Sequence, residues 1–340
     1  MKAAVVTEPY KVVLQDIDDP VVGQRDVLIR VKATGICGSD LHLYKGAHAF
    51  RKLPAILGHE VAGEVVEVGS KVTRFKPGMA VTVLPQISCG NCTACRRGYF
   101  NICPQKTVPG TPAWQGTFAE YFIAPEDAVY PLPAGVDYLA GSLAEPLAVA
   151  VHAAGRAELK GRKRVAILGS GTIGLLVLAV AKHYGVKEII ATDAYDYNLG
   201  VARKMGATVT INALREDVTA KIDELTSGEG VEAVIVAASA PGIIDQAAAI
   251  AARRGTIALV AMISQAIPVM TYTFVYKELE LLGSQTYTAS DFEAALDLLA
   301  AGAVPVAEVV TKTVDFKDTA RALEILDKRL EEAVKIVVTL

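Results

Sequence analysis

Four closely spaced cysteines are the most prominent residues of this chain with a capacity for chemistry. In SCGNCTACRRGYFNIC, two CxxC steps share a cysteine and a fourth cysteine follows eight residues later; they are Cys89, Cys92, Cys95 and Cys103. Four thiolates form a closed tetrahedral shell for a structural Zn²⁺, with bonds of about 2.3 Å. Gly90 and Gly98 allow the loop to fold its thiols inward. Two disulfides or an iron–sulfur cluster are the alternatives for the same cysteines.

A second set of metal donors is spread over three segments. Cys37 lies in TGICGSDLH, His59 and Glu60 are adjacent in LGHEVAGEV, and Glu145 lies at the start of AEPLAVAVHA. A thiolate, an imidazole and a carboxylate form an acceptable open shell for a catalytic zinc. Glu145 is a further candidate ligand, although a carboxylate at the start of a helix also interacts favourably with the helix dipole. The fifth cysteine, Cys37, is therefore predicted to hold a catalytic zinc.

A glycine-rich loop in VAILGSGTIG has GxGxxG spacing. The loop follows a β-like run, opens a helix, and is followed nineteen residues after Gly174 by Asp193, at the end of the next run. Gly169 permits a tight turn, Gly171 lets backbone amides approach a pyrophosphate, and Gly174 allows close helix packing. The predicted cofactor-binding residues are Gly169, Gly171, Thr172, Ile173, Gly174, Asp193 and Val260.

Asp193 favours NAD over NADP. Its carboxylate is expected to bind the adenosine ribose. Two charges about 4 Å apart interact by roughly 4 kcal/mol at an effective dielectric constant of about 20, so Asp193 would repel a 2′-phosphate. No Arg or Lys occurs from Ala194 to Gly200, and Asp196 adds negative charge. An acidic cap at the end of a strand is the alternative interpretation of Asp193.

Two patterns divide the elements that must position these residues. Up to about Tyr130, short β-like runs separated by Gly and Pro predict a twisted antiparallel β domain; the runs are 12–14, 27–31, 61–68 and 79–84. From about Glu145, helical spacing alternates with β runs, which predicts a doubly wound parallel sheet. These runs are 164–168, 188–192, 233–237 and 256–261. Beyond Gly283 we expect helices near 292–301 and 318–330 and a strand at 334–340.

Length, charge and hydropathy narrow the functional classes. At 340 residues the chain exceeds the roughly 250 to 300 residues of one hydrophobic core, so two domains are expected. The net charge of −3, from 34 basic and 37 acidic residues, argues against nucleic acid or an anionic membrane, even with Arg96 and Arg97 adjacent. Glycines inside the apolar run Val165 to Ala181 favour a strand and a helix over a membrane span. The N-terminus lacks a signal sequence, so we expect a cytoplasmic protein with a small-molecule partner.

Together with the CGSD and GHE segments, these residues resemble the zinc-containing medium-chain dehydrogenase family over essentially the whole chain. The resemblance implies a GroES-like catalytic domain at residues 1–150, with a structural zinc lobe at about 86–104. It implies a Rossmann NAD-binding domain at 151–284 and a C-terminal segment, 285–340, that returns to the catalytic domain. A homotetramer or a homodimer is also implied by the family.

The resemblance assigns the catalytic zinc to Cys37 and His59 and leaves its carboxylate ligand undecided. Polyol and secondary-alcohol branches of the family carry acidic residues at both Glu60 and Glu145. The family's proton relay matches Ser39 and His42. The implied reaction is the oxidation of a secondary alcohol to a ketone, in which zinc lowers the pKa of the substrate hydroxyl and NAD accepts a hydride.

The acidic pair Glu60 and Glu145 favours a polyol or sugar alcohol as substrate. A vicinal diol of the 2,3-butanediol type is the first alternative, because the segment Gly283 to Leu299 resembles butanediol dehydrogenases about as well, and L-threonine is another. Two positions depart from the sorbitol dehydrogenase pattern. Thr286 stands where those enzymes carry an arginine before the tyrosine, and Leu43 replaces a tyrosine that faces the substrate. Candidate pocket walls, which are equally compatible with core packing, are Tyr44, Phe50, Trp114 and Tyr287.

Two other classes of protein remain as alternatives. A non-enzymatic NAD-binding or structural protein with this fold would not need Cys37, His59 and Glu60 together. A zinc-free quinone reductase is disfavoured by the same residues and by Asp193.

Overall fold

The structure is a computed structural model that describes residues 1–48, 51–263 and 265–340. The chain divides into two compact units. The first unit comprises Met1–Glu145, Thr288–Ala301 and Val310–Leu340, and the second comprises Pro146–Tyr287 and Gly302–Val309. After its first departure the chain therefore returns twice to the first unit.

The elements follow one another in a β-rich part, an alternating part and a short mixed part. The strands are β1 (Lys2–Glu8), β2 (Lys11–Asp16), β3 (Asp26–Gly35), β4 (Ala55–Ile56), β5 (Glu60–Val68), β6 (Ala80–Val83), β7 (Tyr121–Pro125), β8 (Val129–Pro131), β9 (Arg164–Leu168), β10 (Glu188–Asp193), β11 (Val209–Asn212), β12 (Val231–Val236), β13 (Ala251–Leu259), β14 (Glu280–Gly283), β15 (Val310–Asp315) and β16 (Lys335–Thr339). The helices are α1 (Gly38–Tyr44), α2 (Thr93–Arg96), α3 (Tyr138–Gly141), α4 (Ala144–Arg156), α5 (Thr172–His183), α6 (Asp196–Met205), α7 (Val218–Thr226), α8 (Ile243–Ile250), α9 (Thr271–Lys277), α10 (Ala289–Ala300), α11 (Val306–Val309) and α12 (Thr319–Lys328).

Antiparallel pairing dominates the first unit. Its main sheet has the order β15-β16-β3-β5-β6-β8, and β7 pairs with β3. The pairs in this sheet are antiparallel except β15 with β16. A smaller sheet has the order β2-β1-β4. The predicted antiparallel β domain is confirmed, because short runs punctuated by Gly and Pro suit the tight connections that antiparallel neighbours allow.

The end of β3 and the start of β5 meet at Gly35. This residue ends β3 and pairs with Glu60 at the start of β5 and with Val337 of β16. The interior of the sheet is apolar, and Val31 and Val61 are each 1% exposed. The polar residues that flank these strand ends are consequently placed by a rigid, well-packed scaffold.

The second unit contains the predicted doubly wound parallel sheet. Its strands have the order β11-β10-β9-β12-β13-β14, and every pair is parallel. The order reverses beside β9, which is the position where doubly wound sheets bind ligands at the carboxyl ends of their strands. The apolar run that begins at Val165 divides into β9 and α5. Among the described residues, no helix combines the length and the apolar character needed to cross a membrane.

Candidate active site

The ends of β3 and β5 bring three predicted zinc donors together. One donor atom each of Cys37, His59 and Glu60 lies within 4.8 Å of the others. His59 is 8% exposed and Glu60 is 1% exposed. A soft thiolate, an imidazole and a carboxylate in one buried place fit the open shell of a catalytic zinc.

A buried carboxylate that the sequence did not single out, Asp40, supports these donors. It accepts hydrogen bonds from the backbone N–H groups of Cys37 at 3.0 Å and Gly58 at 3.2 Å, and its Oδ1 lies 3.5 Å from His59 Nδ1. With Nδ1 facing a carboxylate, Nε2 is the nitrogen left for a metal. The signal for Asp40 was its place three residues after Cys37, the residue that precedes α1, where a short acidic side chain caps the backbone.

The proximity of Asp40 and His59 shifts both pKa values. Burial alone would raise the pKa of Asp40, but the nearby charges of His59 and Arg51 lower it to about 2. Burial likewise opposes protonation of His59, yet the charge of Asp40 raises the pKa of His59 well above its usual value. A metal that binds His59 must therefore displace a proton.

Glu60 forms a buried ion pair with Lys335, the first residue of β16. Both side chains are 1% exposed. The ammonium group also donates to the carbonyl oxygen of Ile36 at 3.0 Å. The carboxylate of Glu60 thus has a cationic partner inside the protein that competes with a metal for its oxygens. Lys335 was missed because a single lysine in EEAVKIVVTL gives no indication of a partner 275 residues away.

Glu145 lies apart from the three converging donors. It is 8% exposed in the first turn of α4, and it does not belong to the described group whose donor atoms meet within 4.8 Å. Burial lowers the pKa of Lys106, and the charges of Cys103 and Glu145 oppose this effect. The charge of Glu145 therefore favours the protonated form of Lys106. A role of Glu145 as zinc ligand stays a prediction.

The two predicted relay residues share one face of α1. Ser39 and His42 are three residues apart, a separation that places side chains on one side of a helix. Ser39 is partly buried and its Oγ lies 3.5 Å from Arg51 Nη2, whereas His42 is exposed. The partly buried hydroxyl of Ser39 and the exposed imidazole of His42 could therefore serve as the inner and outer groups of a proton path to solvent.

The four clustered cysteines surround one point. The Sγ atoms of Cys92 and Cys95 are 3.5 Å apart, and so are those of Cys89 and Cys103. The cross distances are 3.9 Å from Cys92 to Cys103 and 4.0 Å from Cys89 to Cys95. A tetrahedron with bonds of about 2.3 Å has edges of about 3.8 Å, so the thiols fit one zinc ion. None of the five cysteines forms a disulfide in the described chain.

Local structure presents these thiols. Helix α2 begins after Cys92, whose Sγ accepts a hydrogen bond from the backbone N–H of Cys95. The backbone N–H groups of Asn91 and Cys92 lower the pKa of Cys89 to about 6, whereas burial and the neighbouring thiols raise the pKa of Cys95 to about 11. Formation of four thiolates at neutral pH therefore depends on the charge of a bound cation.

The glycine loop has the geometry of a dinucleotide-binding turn. Gly169 has φ +104°, a left-handed conformation that favours glycine, and Gly171 precedes the first residue of α5. A Cβ on Gly174 would lie 1.8 Å from the carbonyl oxygen of Gly169, so this position requires glycine. Thr172 and Ile173 lie in the first turn of α5, and the N-terminus of a helix suits a pyrophosphate because of its dipole and its backbone N–H groups.

Asp193 ends β10 beside this loop. Its carboxylate accepts hydrogen bonds from the backbone N–H groups of Ser170 at 2.7 Å and Tyr195 at 3.0 Å, and from Asn198 Nδ2 at 3.2 Å. Val260 follows β13 at the same end of the parallel sheet.

Arg215 is a cation near this region that lies beyond the segment Ala194 to Gly200, which has no basic residue. Arg215 Nη1 lies 2.7 Å from Asp196 Oδ2, so this arginine is already paired with a carboxylate. Arg215 therefore does not offer an unpaired charge for a 2′-phosphate.

The aromatic residues proposed as pocket walls lie in the core. Tyr44 is 4% exposed and meets Tyr10 edge-on, Trp114 is 5% exposed and stacks on Phe122, and Tyr287 is 1% exposed. Phe50 lies outside the described residues.

Comparison with known proteins identifies the family. Residues 23–134 match the model of the alcohol dehydrogenase GroES-like domain, and residues 172–301 match that of the zinc-binding dehydrogenases. The chain is 36% identical to a sorbitol dehydrogenase of Bacillus subtilis over 99% of this chain and 97% of that protein. The chain belongs to the zinc-binding alcohol dehydrogenase family, as predicted, and is an oxidoreductase.

Solved structures agree with this assignment. An alcohol dehydrogenase from Escherichia coli CFT073, whose structure holds NADH, has a TM-score of 0.93 at 30% identity and covers 100% of this chain and 99% of its own. The 2R,3R-butanediol dehydrogenase of Bacillus subtilis has a TM-score of 0.92 at 30% identity, with the same coverage of 100% and 99%.

Proposed function

We propose that this protein oxidises a secondary alcohol of a polyol to a ketone in a zinc-dependent reaction with NAD. The convergence of Cys37, His59 and Glu60 on one buried place carries the proposal. These residues hold the catalytic ion, and the four clustered cysteines hold a structural one. A vicinal diol is the second candidate substrate, because the similar structures include a butanediol dehydrogenase.

In this reaction the bound zinc would supply Lewis acidity to the substrate hydroxyl, and NAD would accept the hydride. Ser39 holds the substrate hydroxyl and accepts its proton while it releases the proton of its own hydroxyl, and His42 passes a proton to solvent. Asp40 fixes the ring of His59 through Nδ1. Lys335 pairs with the carboxylate of Glu60 and reduces the electrostatic effect of that carboxylate on the reacting oxygen.

The preference for NAD rests on Asp193. Backbone N–H groups of Ser170 and Tyr195 hold its carboxylate in one orientation before any ligand binds. A carboxylate fixed in this way accepts hydrogen bonds from two ribose hydroxyls and repels a 2′-phosphate. We therefore expect NAD to be reduced faster than NADP.

We further propose a cytoplasmic homotetramer, or a homodimer, with a catalytic domain at 1–150, a Rossmann domain at 151–284 and a C-terminal segment at 285–340. An exposed apolar surface around α9 and the edge strand β14 supports self-association. Its side chains, each at least 42% exposed, are Met270, Tyr272, Val275, Tyr276 and Leu281. An open strand edge next to apolar side chains is a ready surface for pairing with a second copy.

The test is an NAD reduction screen on zinc-loaded protein with sorbitol, xylitol, 2,3-butanediol, L-threonine and simple secondary alcohols. We expect the highest rate with a polyol, and two zinc ions per chain by metal analysis. A response confined to threonine would contradict the proposed substrate order. One zinc per chain and no oxidation of any alcohol would favour a structural or NAD-sensing role.

A further inference from the structure

The guanidinium group of Arg51 lies beside the relay residue Ser39 and has no role in the reaction described above. Its side chain is 9% exposed. Nη2 lies 3.5 Å from Ser39 Oγ, and Nη1 lies 3.8 Å from Asp40 Oδ1. Nε and Nη1 are buried and have no hydrogen-bond partner in the described part of the chain. Of the five N–H groups that a guanidinium offers, most are thus left without an acceptor.

Asp40 does not complete the requirements of this cation. Its carboxylate already accepts hydrogen bonds from the backbone of Cys37 and Gly58 and faces His59. Arg51 Nη1 lies 3.8 Å from Asp40 Oδ1, so the two charges attract each other but do not form a hydrogen bond. Within the described residues, Asp40 is the carboxylate with which Arg51 pairs, so no second acidic side chain supplies what is missing. Buried donors without acceptors are costly and point to a group that arrives from outside.

The other neighbours of Arg51 do not provide an anion either. His48 Nδ1 accepts the backbone N–H of Arg51 at 3.1 Å, so its ring proton is on Nε2. Burial and the charges of Arg51 and His42 lower the pKa of His48 to about 4, which makes this histidine neutral at pH 7. On another side lies Gly110, where even a Cβ would come within 3.2 Å of Nη1.

We propose that Arg51 binds an anionic group of the substrate, a carboxylate or a phosphate, and that the substrate is accordingly an acidic or phosphorylated polyol. The inference rests on the proposed dehydrogenase function and names its substrate class. Guanidinium groups match the paired oxygens of carboxylates and phosphates with parallel, charge-assisted hydrogen bonds. Contact with Ser39, the residue assigned to the reacting hydroxyl, places this cation within a few carbon atoms of the oxidised carbinol.

The experiment measures kcat/KM of the zinc-loaded full chain with NAD and matched substrates. Each set contains a neutral hexitol, the corresponding aldonate and the corresponding hexitol phosphate, in gluco, galacto and ido configurations. We expect at least one anionic substrate to exceed its neutral counterpart by about 10- to 100-fold, the usual range for charge-assisted hydrogen bonds. A preference for the aldonate identifies a carboxylate site, and a preference for the ester identifies a phosphate site.

The variant Arg51→Met should abolish this ratio, and Arg51→Lys should restore part of it. The matched control is Lys52→Met, which removes the same charge from the neighbouring, exposed residue and should retain the ratio. As a binding readout, the preferred anion should raise the melting temperature of the wild type more than that of Arg51→Met.

Four results would overturn the inference. Equal activity of the wild type on neutral and anionic polyols would reject it while leaving the dehydrogenase function intact, whereas no activity on any alcohol would reject both. An equal loss for both substrate types in Arg51→Met would make Arg51 a positioning residue for Asp40 and Ser39. A loss of NAD affinity with an unchanged ratio would assign Arg51 to a phosphate of the dinucleotide.

Discussion

Two buried charges, Asp40 and Lys335, determine how the zinc donors are presented. Asp40 faces His59 and caps the helix that begins after Cys37, so one side chain contacts both the backbone of Cys37 and the imidazole. Lys335 gives Glu60 a partner other than a metal. The metal affinity of this site therefore depends on a balance between zinc and Lys335 for one carboxylate.

Replacing Cys37 should separate the catalytic zinc from the structural one. Cys37→Ser is expected to lose one zinc equivalent and turnover by about 10³-fold or more, while NAD binding is retained, because the thiolate is the proposed ligand of the catalytic zinc. Cys95→Ser should instead lower the melting temperature, since its zinc closes a loop. Metal analysis, NAD titration and thermal unfolding distinguish the two. Near-normal activity of metal-verified Cys37→Ser would contradict the catalytic assignment.

Removal of the counter-ion of Glu60 should be strongly destabilising. Lys335→Met leaves a buried carboxylate unpaired, and breaking such a pair typically costs about 3 to 5 kcal/mol. Denaturant unfolding of the metal-free protein measures this effect. The double variant Glu60→Gln with Lys335→Met removes both charges and should recover much of the stability. If the double variant were as unstable as the single one, the loss would come from packing of the lysine stem and not from the unpaired charge.

At the scale of elements, two glycines in the turn between β9 and α5 are expected to have different roles, one in stability and one in NAD binding. Gly174→Ala forces a Cβ against the backbone of Gly169 and should destabilise the protein by about 1 to 3 kcal/mol. A Cβ at Gly171 would meet nothing within 4 Å, so the fold of Gly171→Ala should persist. Its NAD affinity should fall by about tenfold or more, because the added methyl group would face the proposed position of the pyrophosphate. Thermal unfolding and NAD titration measure the two effects.

A control for these variants is Gly200→Ala in α6, where a Cβ also meets nothing within 4 Å. It should leave NAD affinity unchanged and the stability equal or slightly higher, because alanine is the better helix former. Unchanged NAD affinity in Gly171→Ala would argue against the pyrophosphate position assigned to this turn.

A carboxylate in a connection of the first unit forms hydrogen bonds whose contribution to stability depends on pH. Glu126, in the turn between β7 and β8, accepts the backbone N–H groups of Arg74 and Thr73 at 2.7 Å each, and these bonds lower the pKa of Glu126. A lowered pKa stabilises the fold above the usual glutamate pKa of about 4.3, and the stabilisation disappears as the pH falls through the native pKa.

Glu126→Gln should accordingly reduce the free energy of unfolding at pH 7, and the difference from the wild type should shrink below about pH 4. Urea unfolding across this pH range measures it. Asp127→Asn, at the exposed neighbouring position, is the matched control and should behave as the wild type at each pH. A pH-independent difference for Glu126→Gln would indicate that the ionised form has no special role.

At the scale of the whole molecule, the apolar surface around α9 predicts the oligomeric state. Val275→Asp places a charge on this surface, where the side chain is 76% exposed, and should shift the protein to a smaller assembly in light scattering after size exclusion. Leu214→Asp is a matched control, because Leu214 is also 76% exposed but follows β11 at the opposite edge of the sheet. An unchanged mass for Val275→Asp would place the interface elsewhere.

The sequence by itself determined the features that depend on local spacing. The four cysteines and the GxGxxG loop lie within short windows, so their residue types and intervals already define the coordination shell and the turn. Periodicity located several strands, and β9 agrees with its prediction at both ends. It missed β1 and β15, although these strands have seven and six residues. Short strands such as β4 and β14 were missed, because two to four residues carry too little pattern.

Only the tertiary structure decided the charge environment of the active site. Burial and pairing depend on which strands become neighbours, and β16 reaches Glu60 from the far end of the chain. The same holds for Arg51, whose sequence context resembles a solvated basic stretch with Lys52 but whose side chain is enclosed in the fold. Sequence spacing specifies which side chains a metal can use. The fold determines that Glu60 is paired with Lys335 and that Arg51 has buried N–H groups without an acceptor among the described residues.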